Sequence, residues 1–351
     1  LIIVIMTLND KNLLNILHNI LKEKSIKNIA VELNIAQGTI KRWIELKNVP
    51  KLYTFELMRI ANIDIDYTKF SYKEKDQFFT PKETAEKCYK KLLEILNEYN
   101  ENEKEYTYIE PSAGNGNFLN ILPSNRRIGI DIEPKNDEII KQNFLNWLPN
   151  NINKYIVIGN PPFGLRGQLA LKFILHSNKF ADYVCFILPQ LFESDGKGVP
   201  RKRVKGFNLI YSEKLNSNFE EPNGKKIKIE CIFQIWSKYH ENIKYIIKDN
   251  DDTILKIYSL SDGGTSSSTR NKNMFYKCDV YIPSTCYGKE NMKYYESFNT
   301  LPNKKGYGIV FNKDKNENII KFKNIDWSKV AFLSTNSAYN IRTSQIKNKL
   351  L

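Results

Sequence analysis

Little in this chain invites a metal ion or a disulfide. Its five cysteines (Cys88, Cys185, Cys231, Cys278 and Cys286) show no paired spacing, and its three histidines (His18, His176 and His240) are scattered. That pattern argues against a metal site, and against disulfides in what reads as an intracellular protein. Long apolar runs are missing as well. The opening run, residues 1–6, is far too short for a signal or a membrane span, and Met6 is a candidate initiator. No other window approaches a transmembrane length, so no membrane partner is expected. A cytoplasmic, nucleoid-associated place in a prokaryotic or virus-infected cell is expected instead. Acidic residues fall short of basic ones, 39 against 53, for a net charge of +14.

The positive surplus points to an anionic partner, although lysine also serves solubility. It is unevenly spread. Residues 197–228 carry +6 and residues 241–351 carry +7, whereas 67–196 are close to neutral. At 351 residues the chain exceeds one average domain, and 41% hydrophobic residues suffice for a packed core. Patterning divides it into three segments: 1–66, 67–240 and 241–351.

The first segment is helical in pattern. Leu13, Leu14, Ile16, Leu17 and Leu21 form an amphipathic stripe. Residues 25–34 and 36–44 read as two helices around a turn, with Ala30 small at the crossing and Asn34 suited to positive φ. Ile40 and Trp43 anchor the second helix. The unit resembles a phage-repressor helix-turn-helix. On that likeness Gln37, Thr39, Lys41 and Arg42 lie on the face offered to a major groove.

From residue 76 strands and helices alternate, which predicts a parallel sheet. A helix is expected over 81–96, with Pro81 in its first position and Thr80 as its cap. Strands are expected near 106–110, 127–132, 155–159, 183–188 and 228–236. Beyond residue 240 the pattern is irregular. Residues 262–269 read as a loop rich in glycine and serine, with short strands near 253–259, 278–283, 306–311 and 318–323.

Two strand ends carry the chemistry. The first is Glu110-Pro-Ser-Ala-Gly-Asn-Gly116, where Gly114 and Gly116 let the backbone turn sharply against a ligand. It lacks both the dinucleotide Gly-x-Gly-x-x-Gly spacing and the Gly-Lys-Ser/Thr of a phosphate loop. The second is Asn160-Pro161-Pro162-Phe163, after the apolar run 155–159. An asparagine oxygen and a proline carbonyl can both accept from one amino group, and the two prolines stiffen the turn. Phe163 offers a face on which an extruded base can stack.

These motifs resemble those of S-adenosylmethionine-dependent DNA adenine-N6 methyltransferases, whose signature is (Asp/Asn/Ser)-Pro-Pro-(Tyr/Phe/Trp), with the cofactor motifs first as in the γ arrangement. The resemblance covers roughly 76–236. It implies a Rossmann-like class I methyltransferase fold, with a mixed, mainly parallel seven-stranded sheet. A small all-α N-terminal domain and an irregular, β-rich C-terminal extension, a target-recognition or accessory region, would flank it. It implies S-adenosyl-L-methionine as cofactor, held by Phe79, Thr80, Pro81, Glu110, Ser112, Gly114 and Gly116. Asp131 would take the ribose hydroxyls, Asn143 the purine edge and Phe144 a ring face. Asn160, Pro161, Pro162 and Phe163 would be catalytic, with no metal. Double-stranded DNA is the implied substrate, gripped by Arg201, Lys202 and Arg203, with Phe219 as second aromatic. Tyr287, Lys289, Tyr294 and Arg342 are further candidate contacts. A cognate restriction endonuclease is a partner the likeness allows.

Asparagine, rather than aspartate, heads the tetrapeptide. Asn-Pro-Pro also occurs in enzymes that methylate protein glutamine and some RNA adenines, so both remain alternatives. A third is a helix-turn-helix regulator with an inactive methyltransferase-like body.

Overall fold

A computed structural model describes residues 10–194, 199–215, 218–243, 254–260, 272–302, 305–333 and 338–351. The opening run 1–6 and the loop 262–269 lie outside the described residues, as do Lys197, Asn216 and Ser217. The chain divides into two compact units between Gln77 and Phe78.

The first unit holds α1 (Asp10–Glu23), α2 (Ile26–Leu33), α3 (Gln37–Glu45) and α4 (Thr54–Ile60). Ser25 caps α2 by accepting from the Asn28 amide at 3.2 Å. Asn34 closes it in the left-handed region (φ 53°), the conformation its short polar side chain tolerates. From α1 the stripe buries Leu13, Leu17 and Ile20, while Leu14, Ile16 and Leu21 are partly exposed. Ala30 is buried where α2 turns inward, and Ile40 and Trp43 bury the inner side of α3. The Trp43 ring packs on Tyr53 with centroids 4.5 Å apart. Gln37, Lys41 and Arg42 are exposed on α3, with Thr39 half-buried.

The second unit begins with α5 (Lys82–Glu98). Pro81 stands at its N-cap, one position before the helix, and Thr80 makes no cap; both expectations are corrected here. The Thr80 carbonyl instead accepts from Asn117 Nδ2 at 2.7 Å, which holds the segment in extended form. Then follow β1 (Tyr106–Glu110), β2 (Arg127–Asp131), β3 (Ile139–Lys141), β4 (Lys154–Gly159), α6 (Gln168–Ser177), β5 (Tyr183–Pro189), β6 (Asn208–Leu215), β7 (Asn218–Glu220), β8 (Lys226–Lys228) and β9 (Cys231–Ser237).

Seven of these strands form one sheet in the order β3-β2-β1-β4-β5-β9-β6. Neighbours from β3 to β5 are parallel, and β9 runs antiparallel to both β5 and β6. This is the mixed, mainly parallel, Rossmann-like sheet the sequence implies. Both faces are covered. On one, Ala85, Cys88, Leu92 and Ile95 of α5 pack against Tyr108, Ile156, Ile158 and Cys185. On the other, Leu169, Ala170, Phe173 and Ile174 of α6 pack against Ile109, Val157, Val184 and Phe186. Burial on both faces is why these strands are nearly continuous apolar runs. The chain winds from β1 outward to β3, then returns to β4 beside β1. That reversal opens a crevice at the carboxyl ends of β1 and β4, the usual ligand position in such sheets.

The C-terminal part is rich in strands: β10 (Leu255–Leu260), β11 (Val280–Pro283), β12 (Thr285–Tyr287), β13 (Gly306–Phe311), then α7 (Lys315–Asn324), α8 (Trp327–Val330), β14 (Phe332–Leu333), β15 (Ala338–Asn340) and α9 (Thr343–Leu350). They make two three-stranded sheets, β10-β13-β11 and β12-β15-β14. The strand expected at 318–323 is a helix. The alternation Ile320-Lys321-Phe322-Lys323 mimics a strand, but Ile320 is exposed. Ile319 and Phe322, three apart, face the core beside Trp327.

Candidate active site

The crevice gathers most of the expected cofactor residues. Phe79 is joined to Glu220 by two backbone hydrogen bonds, Phe79 N to Glu220 O at 2.8 Å and Glu220 N to Phe79 O at 2.9 Å. This bridge ties the segment before α5 to the β7–β8 hairpin. The Phe79 ring lies over Gly114, where a Cβ would come within 3.1 Å of it; Gly114 also has φ +51°. Only glycine combines that turn with that approach. With Asn117 holding the Thr80 carbonyl, Phe79, Thr80, Gly114 and Gly116 therefore surround one turn.

Asp131, at the end of β2, orders the same turn. Its Oδ2 accepts from the Gly114 amide at 2.8 Å and its Oδ1 from the Glu133 amide at 2.7 Å. Burial raises its pKa, and the two amides oppose that without cancelling it. Each carboxylate oxygen keeps a second lone pair, so acceptors for sugar hydroxyls remain.

Glu110 ends β1 at 3% exposure. Among the described residues its Oε2 has no hydrogen-bond partner. Burial pushes its carboxyl well above the ordinary carboxylate range; the Leu119 amide opposes this and nearby Asp131 reinforces it. Across the crevice, a Cβ at Gly159 (φ +156°) would stand 3.3 Å from Glu110 Cγ. The glycine thus allows β4 to close on the carboxyl group, and Asn160 follows directly.

Asn160 Oδ1 is the second buried orphan of the crevice. A buried polar atom without a partner costs about 1–3 kcal/mol, so two of them at one crevice mark a place shaped for a ligand. The Asn160 backbone carbonyl is satisfied, accepting from Ser112 Oγ at 3.1 Å. Pro161 is buried and Pro162 half-buried. The Phe163 carbonyl accepts from the Leu169 and Ala170 amides at 3.1 and 3.3 Å, which pins the turn to the start of α6.

The aromatic and basic residues are placed less simply. Phe163 is 7% exposed and Phe219 1%, and both belong to one buried cluster. Phe144 is core, its ring centroid 5.1 Å from Phe173 and 5.0 Å from His176. Asn143 is exposed, with its oxygen accepting from the Leu145 amide at 3.0 Å; its amide nitrogen is the donor it can offer a purine. Arg203 turns inward to Gln168 Oε1 at 2.5 Å, and burial lowers its pKa. Arg201 donates to the Ser194 carbonyl at 3.4 Å. Lys202 is exposed, as are Lys225, Lys226 and Lys228 around the β7–β8 hairpin. Tyr287 and Lys289 are exposed in the C-terminal part; Tyr294 and Arg342 are half-buried there.

Sequence reasoning missed the Phe79–Glu220 bridge, the bond from Asn117 to Thr80 and the bond from Ser112 to the turn at 160–163. Nothing in local patterning signals a contact between residues 48 or 141 positions apart.

The residues of the crevice suit S-adenosylmethionine. A cation beside Glu110 would offset the cost of burying that carboxylate, and a bare backbone turn leaves room for the ligand.

No family profile matches the chain, and no curated protein matches it. Solved structures show distant likenesses. One, from Pyrococcus horikoshii, is described as a candidate RNA methyltransferase (19% identity, TM-score 0.35, 47% of this chain and 86% of that one). Another is a modification subunit of a candidate type I restriction enzyme from Vibrio vulnificus (11%, TM-score 0.32, 85% and 65%). A third belongs to a type I restriction-modification system (14%, TM-score 0.29, 68% and 62%). At these values the reading of the chemistry rests on the crevice alone.

Proposed function

We propose that the chain is an S-adenosylmethionine-dependent methyltransferase acting on adenine N6 in duplex DNA. The observation that carries this is the orphaned Asn160 Oδ1, buried at the end of β4 beside the equally orphaned Glu110. An oxygen in that state is an acceptor held ready for a donor the protein itself does not supply.

An exocyclic aromatic amine is a weak nucleophile because its lone pair is delocalised into the ring. Asn160 Oδ1 and the Pro161 carbonyl each accept one amino hydrogen and draw the nitrogen toward tetrahedral geometry, which frees that lone pair. The prolines fix φ at two successive positions, so the acceptors need little reorganisation. S-adenosylmethionine, when bound, supplies an electrophilic methyl group on a sulfonium. Glu110, Gly114 and Asp131 would hold it, with Phe79 and Thr80 covering one side and Asn143 donating to the purine.

Phe163 is the stacking surface for the extruded base. At 7% exposure it is nearly covered, so admission of the base requires the aromatic cluster with Phe219 to open. The N-terminal unit reads the duplex through Gln37, Thr39, Lys41 and Arg42 of α3.

The test is transfer of labelled methyl to duplex DNA, RNA and protein offered separately, followed by nucleoside analysis. Label on N6-methyl-2′-deoxyadenosine from DNA is expected. Label in RNA or protein alone would move the substrate to those alternatives. Tight operator binding with no transfer to any polymer would favour a regulator with an inactive body.

A further inference from the structure

A turn built on two successive prolines has a weakness: residues 161 and 162 carry no amide hydrogens, so nothing can grip the turn through its own N–H groups. It can be held only at its ends or by its oxygens. The far end is held, since the Phe163 carbonyl accepts from the Leu169 and Ala170 amides. At the near end the Asn160 carbonyl accepts from Ser112 Oγ at 3.1 Å.

Five torsions separate the two proposed acceptors, Asn160 Oδ1 and the Pro161 carbonyl: χ2 and χ1 of the Asn160 side chain, and along the backbone ψ of Asn160, then φ and ψ of Pro161. The pyrrolidine ring fixes φ of Pro161. A following proline confines ψ of Asn160 to the extended region but leaves a range of about 40° within it. The direction of the Asn160 carbonyl is what sets that ψ. Ser112 itself stands on a stiff base. The next two amides are both engaged, Ala113 N with the Ile130 carbonyl at 3.0 Å and Gly114 N with Asp131 Oδ2 at 2.8 Å.

We infer that Ser112 is a positioning residue for the catalytic turn. Its hydroxyl sets the Asn160–Pro161 peptide plane, and with it the backbone contribution to the spacing of the two acceptors, from the loop that also forms the cofactor side of the crevice. Ser112 thereby acts through Asn160 and touches neither reactant. This rests on the proposed function and replaces a direct cofactor contact for this residue.

The experiment compares Ser112→Ala, Ser112→Thr and the native chain in labelled transfer to duplex DNA, with cofactor affinity measured separately by calorimetry. Ser112→Ala should lower kcat about ten- to hundred-fold, the scale of a misplaced reacting group. The cofactor Kd and the KM for DNA should stay within about three-fold, because no ground-state contact is lost. Ser112→Thr, which keeps the hydroxyl, should restore most of the rate. Ser112→Cys, close in size but a weak donor, carries the expectation of the alanine variant should that variant fail to fold. An unchanged kcat, or a loss that appears in cofactor affinity instead, overturns the inference. A native chain that transfers no methyl to DNA, RNA or protein removes the reading of the site, whereas an active native chain matched by Ser112→Ala removes this inference alone.

Discussion

Two groups of polar side chains at opposite ends of the central sheet differ in how they are partnered. At the amino end, Glu101 accepts from the hydroxyls of Tyr106 and Tyr183 at 2.8 and 3.2 Å. The Tyr183 hydroxyl also meets His240 Nε2 at 2.8 Å, and Tyr99 stacks on the His240 ring. Tyr239 donates to Asp182 at 2.5 Å, a bond that pushes its phenol up to about 12. These groups answer one another. At the carboxyl end, Glu110 Oε2 and Asn160 Oδ1 are buried with no answer. A satisfied cluster contributes to folding, whereas an unsatisfied one is a cost that persists where a ligand recovers it. Orphans are not confined to the crevice, since Trp236 Nε1 is another near the amino end of β5, but among the described residues only the crevice pairs two buried acceptor oxygens beside a glycine turn.

Mutation can break that contrast, and the largest effect is expected at Asn160. Asn160→Ala should reduce transfer by about a hundred- to a thousand-fold, the usual cost of losing one preorganised polar group at the reacting centre. Cofactor affinity should hold within a few-fold. The melting temperature should stay level or rise, because an orphan is removed; a marked fall would place Asn160 in the scaffold instead. Glu101→Ala should do the reverse. Chemical denaturation should reveal a loss of about 1–3 kcal/mol as two phenols lose their acceptor. Activity per folded molecule should not change, and a selective loss of kcat would erase the distinction between the two ends.

Glu110 sharpens the comparison through pH. Its folded pKa lies above the ordinary value of 4.5, so the native state binds the extra proton. Stability is therefore lost as pH rises from that ordinary value toward the folded one, and is level beyond it. Glu110→Gln should remove this decline, leaving the slope of Asp131, which has the same sign. Melting curves of the two proteins between about pH 4 and pH 8 should converge on the acid side and separate on the alkaline side, with the variant higher. Identical curves would mean the carboxyl group is not held as its burial implies.

The smallest effect concerns the cations. Lys225, Lys226 and Lys228 are exposed, whereas Arg203 turns inward to the Gln168 side-chain oxygen. Replacing each lysine by alanine should flatten the salt dependence of DNA affinity by about 0.9 in the log–log slope. Arg203→Ala should leave that slope alone and lower stability.

Much of this arrangement could be read in advance. The strands at 106–110, 127–132, 155–159 and 183–188 announce themselves because burial on both faces demands unbroken apolar runs. The left-handed turn at Asn34 follows from local backbone chemistry. What could not be read is where side chains face. Phe144 was expected on a ring face of the cofactor, yet it packs against Phe173 and His176, since an aromatic at a strand end serves core and ligand equally well in a linear pattern. The basic run at 201–203 seemed a grip for phosphates, but two of its three members turn toward Gln168 and Ser194. The 320–323 alternation concealed a helix because four residues cannot distinguish a period of two from one of 3.6.

The late insertion of β9 has a consequence for biosynthesis. All seven residues of β5 are buried in the finished sheet; one lateral partner is β4, already synthesised, and the other is residues 231–237. While a ribosome is still delivering the residues before Cys231, that apolar ribbon has one side open and can pair there with whatever strand is nearby. Chaperone binding during translation should concentrate in that interval, and a split-protein design cut between residues 190 and 230 would inherit the same sticky edge.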